Sequence, residues 1–404
     1  MSAKEQTRPE GRRFGATLDS LSPSLISAIR RIPPHEQNVP PSIDARRPAT
    51  IFLDQAHYTL EQERIFRRLP TVIAPSAALP EPGSVMAHDG YGIPVLLTRD
   101  REGTVRAFLN ACMHKGAQLT KECTAQKAGS ITCPFHAWTF ALDGRLIGVP
   151  RQETLAHFSK ASRPLTRLPC LETGGLIWVI LNPDAKPDFS TVSKEIAVDL
   201  ASLGLAKAFA YGYRRFPLKA NWKLVMEPFL EGYHVQRLHS KSIGPQGANM
   251  FADVVGVSDR FGLSTRQTSG RSNFSPDILQ EPGLNIRNYV VHAFNLFPST
   301  VVITSPYYTS VMLIMPNAVG ESLVDYYMLT EAAPDNPKAV ELYARSFEVI
   351  QDVFGNEDFA ASQTCQIGLG SGALKEVIYC GMEAQIPQFY EGVESVLQQP
   401  RAVA

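Results

Sequence analysis

The spacing of apolar residues changes character along the chain, and each change predicts a different kind of element. From Tyr58 to Leu69, the apolar residues Leu60, Ile65, Phe66 and Leu69 recur among charged residues at near-helical spacing, and Pro70 follows. This predicts one surface helix with a proline stop. After Pro82-Gly83 the apolar residues instead form short runs, Ile93 to Thr98 and Val105 to Leu109, separated by Arg99-Asp100-Arg101-Glu102-Gly103. Short runs divided by turn residues predict antiparallel strands. Trp138-Thr139-Phe140, the turn Asp143-Gly144-Arg145 and the run Gly175 to Leu181 continue the same all-β unit, and Pro183, Asp184 and Pro187 mark a domain boundary.

Beyond that boundary the pattern is mixed. Phe209 to Pro217 reads as extended, and Asn221 to Pro228 leads into a helical stretch, with Pro228 near the first helical position where no donor is lost. Strands are predicted at Asn288 to Phe294, Thr300 to Thr304, Val311 to Met315 and Leu323 to Leu329. A helix starts at Asn336-Pro337 and carries Val340, Tyr343, Phe347, Ile350 and Phe354 on one face. A last helix runs from about Pro387 to Leu397. Residues 245–285 are polar and rich in Gly and Ser, which predicts a mobile lid or an ordered loop over a pocket. The first 45 residues are rich in Pro, Arg and Ser and carry only one short amphipathic segment, Ser24 to Ile32, so they are expected to form a tail or a subunit arm. The expected organisation is a tail over 1–45, a small β domain over 46–186 and a larger domain over 187–404, without internal repeats.

Composition narrows the class. A chain of 404 residues is long enough for two domains with their own cores. Its 39 basic and 39 acidic residues balance, which gives no electrostatic reason to expect nucleic acid or an anionic membrane as partner. No apolar run approaches the length of a membrane span and the opening residues lack a signal-peptide core, so a soluble cytoplasmic protein is expected. Six scattered cysteines make no disulfide framework.

Two clusters carry chemistry. The first is Cys112-x-His114 and Cys133-x-x-His136, each half offering one thiolate and one imidazole. This set suits a 2Fe-2S cluster in which two cysteines hold one iron and two histidines the other. A Cys2His2 zinc site is the alternative, although zinc modules usually group Cys with Cys and His with His. The second cluster is Glu231-Gly232-Tyr233-His234-Val235-Gln236-Arg237-Leu238-His239, two histidines five apart with a carboxylate three before the first. Two imidazoles and a carboxylate on one face of a metal leave positions open for substrate and O2 on non-haem Fe(II). Residues five apart on an ideal helix point about 140° away from each other, so joint ligation predicts a π-bulge or a break between His234 and His239. Solvent-facing histidines on a polar helix are the competing reading.

Together the residues resemble the Rieske non-haem iron oxygenases, in particular the catalytic α subunits of ring-hydroxylating dioxygenases and related monooxygenases. The resemblance spans about residues 45 to 397 and rests on AFLNACMHKG, CPFHAWTFALDGRL, GGLIWVILNPDA and NWKLVMEPFLEGYHVQRLH. It implies an α+β fold: a small antiparallel β Rieske domain and a larger helix-grip catalytic domain, an antiparallel sheet around a helix. It implies a [2Fe-2S] cluster on Cys112, His114, Cys133 and His136, and a mononuclear Fe(II) on His234, His239 and a carboxylate near the C-terminus, Asp358 in preference to Glu357. Glu231 matches the family's bridging acid, which joins His234 to the residue corresponding to His136 in a neighbouring subunit, and a homotrimer is implied. Lys115 stands where the family often has Arg, Ala137 where it often has Gly, Pro228 where Asn is common and Glu231 where Asp is more frequent.

The implied reaction uses O2 and electrons delivered one at a time through the cluster to hydroxylate, dihydroxylate or oxidatively dealkylate a small organic substrate, aromatic by expectation. A quaternary amine substrate is the alternative. A non-enzymatic electron carrier and a zinc-stabilised binding protein are the competing classes. No GxGxxG follows a strand, and cysteines for a plant-type ferredoxin centre are absent, so a separate NAD(P)H-dependent reductase is implied, with or without a ferredoxin. His292, Asn295, Phe297, Tyr307 and Tyr308 fall in the expected pocket strands, and Arg287 could meet an anion.

Overall fold

The computed structural model describes residues 16–33, 40–242, 256–281 and 283–399. In the first part of the chain, short strands build three small antiparallel sheets. The largest has five strands in the order Arg167–Leu168, Val105–Leu109, Val95–Arg99, Ser84–His88 and Gln126–Lys127. A second joins Cys170–Thr173, Leu176–Val179 and Thr71–Pro75, and a third joins Ile131–Thr132, Thr139–Phe140 and Leu146–Gly148.

Period-two alternation on these strands feeds two cores. Val95 and Leu97 join the main core that runs through the molecule, whereas Leu96 between them joins a separate cluster with Phe108, Leu119, Trp138, Phe140, Cys112 and Cys133. A strand buried on both faces reads as a continuous apolar run, which is why Val95–Arg99 shows no polar alternation. The small cluster packs the two cysteines into a hydrophobic base under their loops.

The second part is a seven-stranded antiparallel sheet, in the order Phe209–Leu218, Glu321–Thr330, Thr309–Ala318, Thr300–Thr304, Val290–Leu296, Ser264–Gly270 and Val257–Phe261. Helices pack against it through aromatic side chains. Phe216 meets Phe359 edge-on, Tyr326 stacks on Phe347, and Tyr211 meets Tyr343. The resulting α+β architecture is the one expected from the sequence.

Three polar networks fix the parts to one another. Arg215 joins the sheet to the β unit, with Nη1 2.7 Å from Asp89 Oδ1 and Nε 2.7 Å from Asp325 Oδ1. Glu61 is fully buried and accepts from Lys223 Nζ at 2.6 Å and from Trp222 Nε1 at 2.8 Å. At the other end, Arg266 pairs with Asp199 and Asp259.

Two expectations are corrected here. The stretch 245–285 is not simply a loop, because Val257–Phe261 and Ser264–Gly270 pair as two strands of the large sheet. Their buried residues include Arg266, Thr265 and Thr268, and Arg266 is compensated by ion pairs, so the apolar alternation that reveals a strand is missing. Residues 243–255 and 282 of that stretch lie outside the described residues. The segment read as a tail or arm contains a helix, Pro23–Arg30, capped by Ser22, whose residues Leu25, Ala28 and Ile29 are buried in the main core or beside it. Residues 1–15 and 34–39 lie outside the described residues.

Candidate metal centres

The two ligand loops of the β unit are built alike. Cys112 accepts a hydrogen bond at its carbonyl from Gly116 N and donates from its amide to Ala117 O, while Cys133 does the same with Ala137 N and Trp138 O, all between 2.8 and 3.0 Å. In both loops the residue four after the cysteine is left-handed, Gly116 at φ 79° and Ala137 at φ 56°. Glycine adopts that conformation freely, while alanine is strained there. Burial raises the Cys112 thiol, and the amides of His114 and Lys115 pull the other way by favouring its thiolate.

The histidines lie between these loops and the surface. The His114 ring stacks on Trp138 with centroids 4.8 Å apart and planes 8° apart, and it meets the His136 ring at 4.7 Å. His114 Nδ1 is buried without a protein hydrogen-bond partner, as expected for an atom reserved for a metal. His136 is exposed beside Phe135, which is 61% exposed. Two facing thiols and two adjacent imidazoles thus fit the 2Fe-2S set.

The second centre is assembled from two distant segments. A short turn, Glu227–Leu230, ends in Glu231, whose backbone is extended. Glu231 then braces the turn ahead of the next helix, with Oε2 accepting from the amides of Tyr233 and His234. Its other oxygen, Oε1, lies 2.5 Å from His234 Nδ1. His234 and His239 flank the single helical turn Val235–Leu238. Of the two distortions expected, a π-bulge or a break, there is no π-bulge between them; the helix instead stops at His239, whose backbone is no longer helical. The turn is so short that both histidines sit at its ends, where their side chains can converge, and the ring centroids are 5.1 Å apart.

The π turn occurs on the opposite segment. The helix Pro337–Val353 passes through a widened turn, Phe354–Asp358, into the helix Phe359–Gly370. Such widened turns recur at functional sites. Here it presents Asp358 Oδ1 3.3 Å from His234 Nε2 and 3.4 Å from His239 Nε2. Ligand atoms of His234, His239 and Asp358 all lie within 4.8 Å of one another. Glu357, the alternative carboxylate, is not part of this convergence. Its Oε2 lies 2.5 Å from His239 Nδ1 and accepts from Ser242 Oγ at 2.7 Å.

Charge makes the same point as geometry. Burial alone would lower His234, yet Asp358 and Glu231 outweigh it and push it up to about 9. Burial likewise raises Asp358, but the two imidazoles hold its carboxyl below the usual range. The acids call for positive charge between them, which a divalent iron would supply. The donor set of two imidazoles and one carboxylate fits non-haem Fe(II).

Beside the triad opens a cavity of about 170 Å³, with Phe229, Val235, Val353 and Phe354 among its apolar walls. Of the pocket residues expected from sequence, only Tyr308 lines it. His292 is buried on the other face of its strand, where its Nδ1 meets Thr268 Oγ1 at 3.1 Å, while its neighbours Val291 and Ala293 face the cavity. Asn295 and Phe297 line a smaller cavity, and Tyr307 and Arg287 line another one. Arg287 gives Nη2 to the Leu203 carbonyl. Sequence reasoning missed the role of Glu357 and the pocket positions Gln267, Ser269, Ser305 and Ser310.

Comparison with known proteins agrees with both centres. Residues 70–159 match the Rieske [2Fe-2S] domain, and residues 201–399 match the ring hydroxylating alpha subunit (catalytic domain). The chain belongs to the Rieske non-haem iron oxygenases. It is an oxygenase subunit whose cofactors are a [2Fe-2S] cluster and a mononuclear iron. It is 28% identical over 339 residues to the carnitine monooxygenase oxygenase subunit of Escherichia coli (strain K12), covering 80% of this chain and 84% of that one. It is 32% identical over 207 residues to the anthranilate 1,2-dioxygenase large subunit of Burkholderia cepacia, covering 48% of each. The fold is shared with a quaternary ammonium Rieske monooxygenase at a TM-score of 0.74 and 22% identity, covering 91% of this chain and 99% of that one. As a member of this family the oxygenase works with an electron-transfer partner on a small-molecule substrate. Among the described residues no helix is long and apolar enough to cross a membrane.

Proposed function

We propose that this chain is the terminal component of a multicomponent oxygenase that hydroxylates, dihydroxylates or oxidatively dealkylates a small aromatic substrate. In this reading the Rieske domain extends over 46–186 and the catalytic domain over 187–404. Cys112, His114, Cys133 and His136 hold the cluster, and His234, His239 and Asp358 hold the iron. Electrons come from NAD(P)H by way of a separate reductase, with or without a ferredoxin. The cluster supplies electrons singly, and the iron supplies O2 activation beside the substrate.

The observation that carries the reading is the contact of Glu231 Oε1 with His234 Nδ1, 2.5 Å, beside the convergent triad and on the wall of the cavity. Glu231 fixes the tautomer and the ring orientation of His234, so that Nε2 faces the iron position. Phe229, Val235, Val353 and Phe354 exclude water from the substrate position.

Glu231 also has a route outward. Its hydrogen-bond partners within the chain are local, and Tyr233 next to it is 57% exposed. His136 is exposed on the other domain and touches His114 and Phe135. The exposure of His136 and of Tyr233, two residues from the largely buried Glu231, supports electron transfer between copies, His136 of one chain to Glu231 of the next, in a homotrimer.

The likeness to carnitine monooxygenase supports a second reading, oxidation of a quaternary amine. Substrate-dependent O2 uptake with a surrogate reductase tests the proposal. Uptake that rises with an aromatic compound supports it, and the absence of any coupled uptake in an iron-loaded protein contradicts it.

A further inference from the structure

Gln267, Ala293, Ile303 and Ser310 pair in turn across four strands and form one row of the cavity wall. Ser310 pairs onward with Met328, so Tyr326, two residues away on the same strand, shares its face at the diagonal position. The Tyr326 hydroxyl lies 3.3 Å from Ser310 Oγ, and its ring meets that of Phe354 edge-on at 5.5 Å. Phe354 lines the cavity and opens the widened turn that ends in Asp358. Of the rings that Phe354 touches among the described residues, those of Phe229, Tyr326 and Phe359, only Tyr326 is a phenol. A fully buried tyrosine thus stands directly behind the wall of the site.

Rings lead away from it. Tyr326 stacks on Phe347 with centroids 6.0 Å and planes 17° apart, Phe347 meets Tyr211 at 6.3 Å, and Tyr211 meets Tyr343 at 5.5 Å. Tyr211 and Tyr343 are half-buried, so the line runs from the core toward solvent. Two local features hold it. The register of Phe209–Leu218 against Glu321–Thr330 shifts between Ala210 and Gly212, which makes Tyr211 the residue of a bulge, and bulges re-aim side chains. At Gly212 a Cβ would stand 2.6 Å from Phe347 Cε2, so the missing side chain is what lets the Phe347 ring lie against the strand. Rings in contact at such spacings couple their π systems, and phenols lose an electron far more readily than phenylalanine rings. Burial pushes the Tyr326 phenol well above its usual value and keeps it protonated, so its oxidation must release the proton along the bond to Ser310.

We propose that Tyr326, Tyr211 and Tyr343 form an escape route for oxidising equivalents left at the iron site when no substrate accepts them. Tyr326 gives up an electron toward the site past Phe354, while its phenolic proton shifts to Ser310 and returns when the electron is replaced. The replacement comes across Phe347 from Tyr211, and to Tyr211 from Tyr343, both of which exchange their protons with water. A small-molecule thiol refills Tyr343. For a site oxidised by hydrogen peroxide the balance is H2O2 + 2 RSH → 2 H2O + RSSR: the O–O bond breaks, an S–S bond forms, and the electrons travel inward one at a time while protons reach the site through the cavity. The proposal rests on the reading of His234, His239 and Asp358 as an O2-activating iron site.

The test uses the full chain loaded with iron and with oxidised, EPR-silent cluster, treated with hydrogen peroxide without substrate and freeze-quenched. The expected result is a tyrosyl EPR signal that narrows when the protein carries ring-deuterated tyrosine and decays faster with glutathione. Tyr326→Phe should lose the signal with iron and cluster retained, and should inactivate faster under peroxide. Phe347→Leu should keep the signal but lose the spin-trap adducts that mass spectrometry finds on Tyr211 and Tyr343 of the wild type. An iron-loaded wild type without a tyrosyl signal overturns the proposal, as does a signal unaltered in Tyr326→Phe. Adducts that persist in Phe347→Leu overturn the route, and equal inactivation of wild type and Tyr326→Phe overturns the protective role. Failure of the underlying iron reading would show separately, as a chain that binds no mononuclear iron.

Discussion

Glu357 and Asp358 are adjacent in the chain, yet they face opposite edges of one imidazole. Glu357 Oε2 lies 2.5 Å from His239 Nδ1, and Asp358 Oδ1 lies 3.4 Å from His239 Nε2. Successive residues on an α-helix point about 100° apart, and the widened turn Phe354–Asp358 lets both reach the same ring. His234 is arranged the same way, with Glu231 on Nδ1 and Asp358 on Nε2. Each histidine therefore presents Nε2 to the site because a carboxylate occupies its other nitrogen.

Removing the Glu357 carboxylate should loosen His239 without removing a ligand. Glu357→Ala is expected to weaken iron binding by about 10- to 100-fold, the usual cost of losing a partner that orients a ligating histidine. Chelator competition measures it, with cluster absorbance as the control. Unchanged iron affinity would show that the contact is incidental.

Glu231→Gln should leave both metal sites loaded and cut turnover by about 100-fold, while the isolated cluster still accepts an electron from dithionite at its ordinary rate. Glu231→Asp should recover part of the loss. Full turnover in the Gln variant would remove Glu231 from the electron route.

Ala137 is a non-glycine residue held at φ 56° in the second ligand loop. Relief of that strain predicts that Ala137→Gly stabilises the Rieske domain by about 1 kcal/mol. Denaturant unfolding followed at the cluster absorbance is the measurement, and a lower midpoint would contradict the strain argument.

Glu227, half-buried, accepts from the hydroxyls of Tyr379 and Tyr390, at 2.8 and 2.7 Å, and removal of its carboxyl from water pushes it up to about 7 from 4.5. Because the folded value lies above the unfolded one, the folded state binds this proton more tightly. Its contribution is complete below about 4.5 and is lost as pH rises through about 7, a span worth on the order of 3 kcal/mol. Glu227→Gln should therefore flatten the fall in stability across that window. Parallel pH profiles of the unfolding midpoint for the two proteins would contradict this.

The sequence made some parts plain and hid others for physical reasons. Thr300–Thr304 and the helix beginning at Pro337 were legible to the residue, because apolar runs and a capping Asn-Pro mark them directly. Ser264–Gly270 was hidden, since its buried Arg266 is compensated by Asp199 and Asp259 instead of by apolar neighbours. The convergence of His234, His239 and Asp358 could be anticipated because the candidate ligands are marked by their chemistry. The pocket could not: His292 misses it by one residue, as strand faces alternate, and the row from Gln267 to Ser310 exists only once register is known.

The most direct test of the account is iron and acid-labile sulfide analysis of the wild-type chain beside Asp358→Ala. The account predicts three irons and two sulfides per wild-type chain, falling to two irons and two sulfides in the variant with an unchanged EPR signal from the reduced cluster. A variant that keeps its third iron, or a wild-type chain that holds zinc in place of iron at either centre, would contradict it.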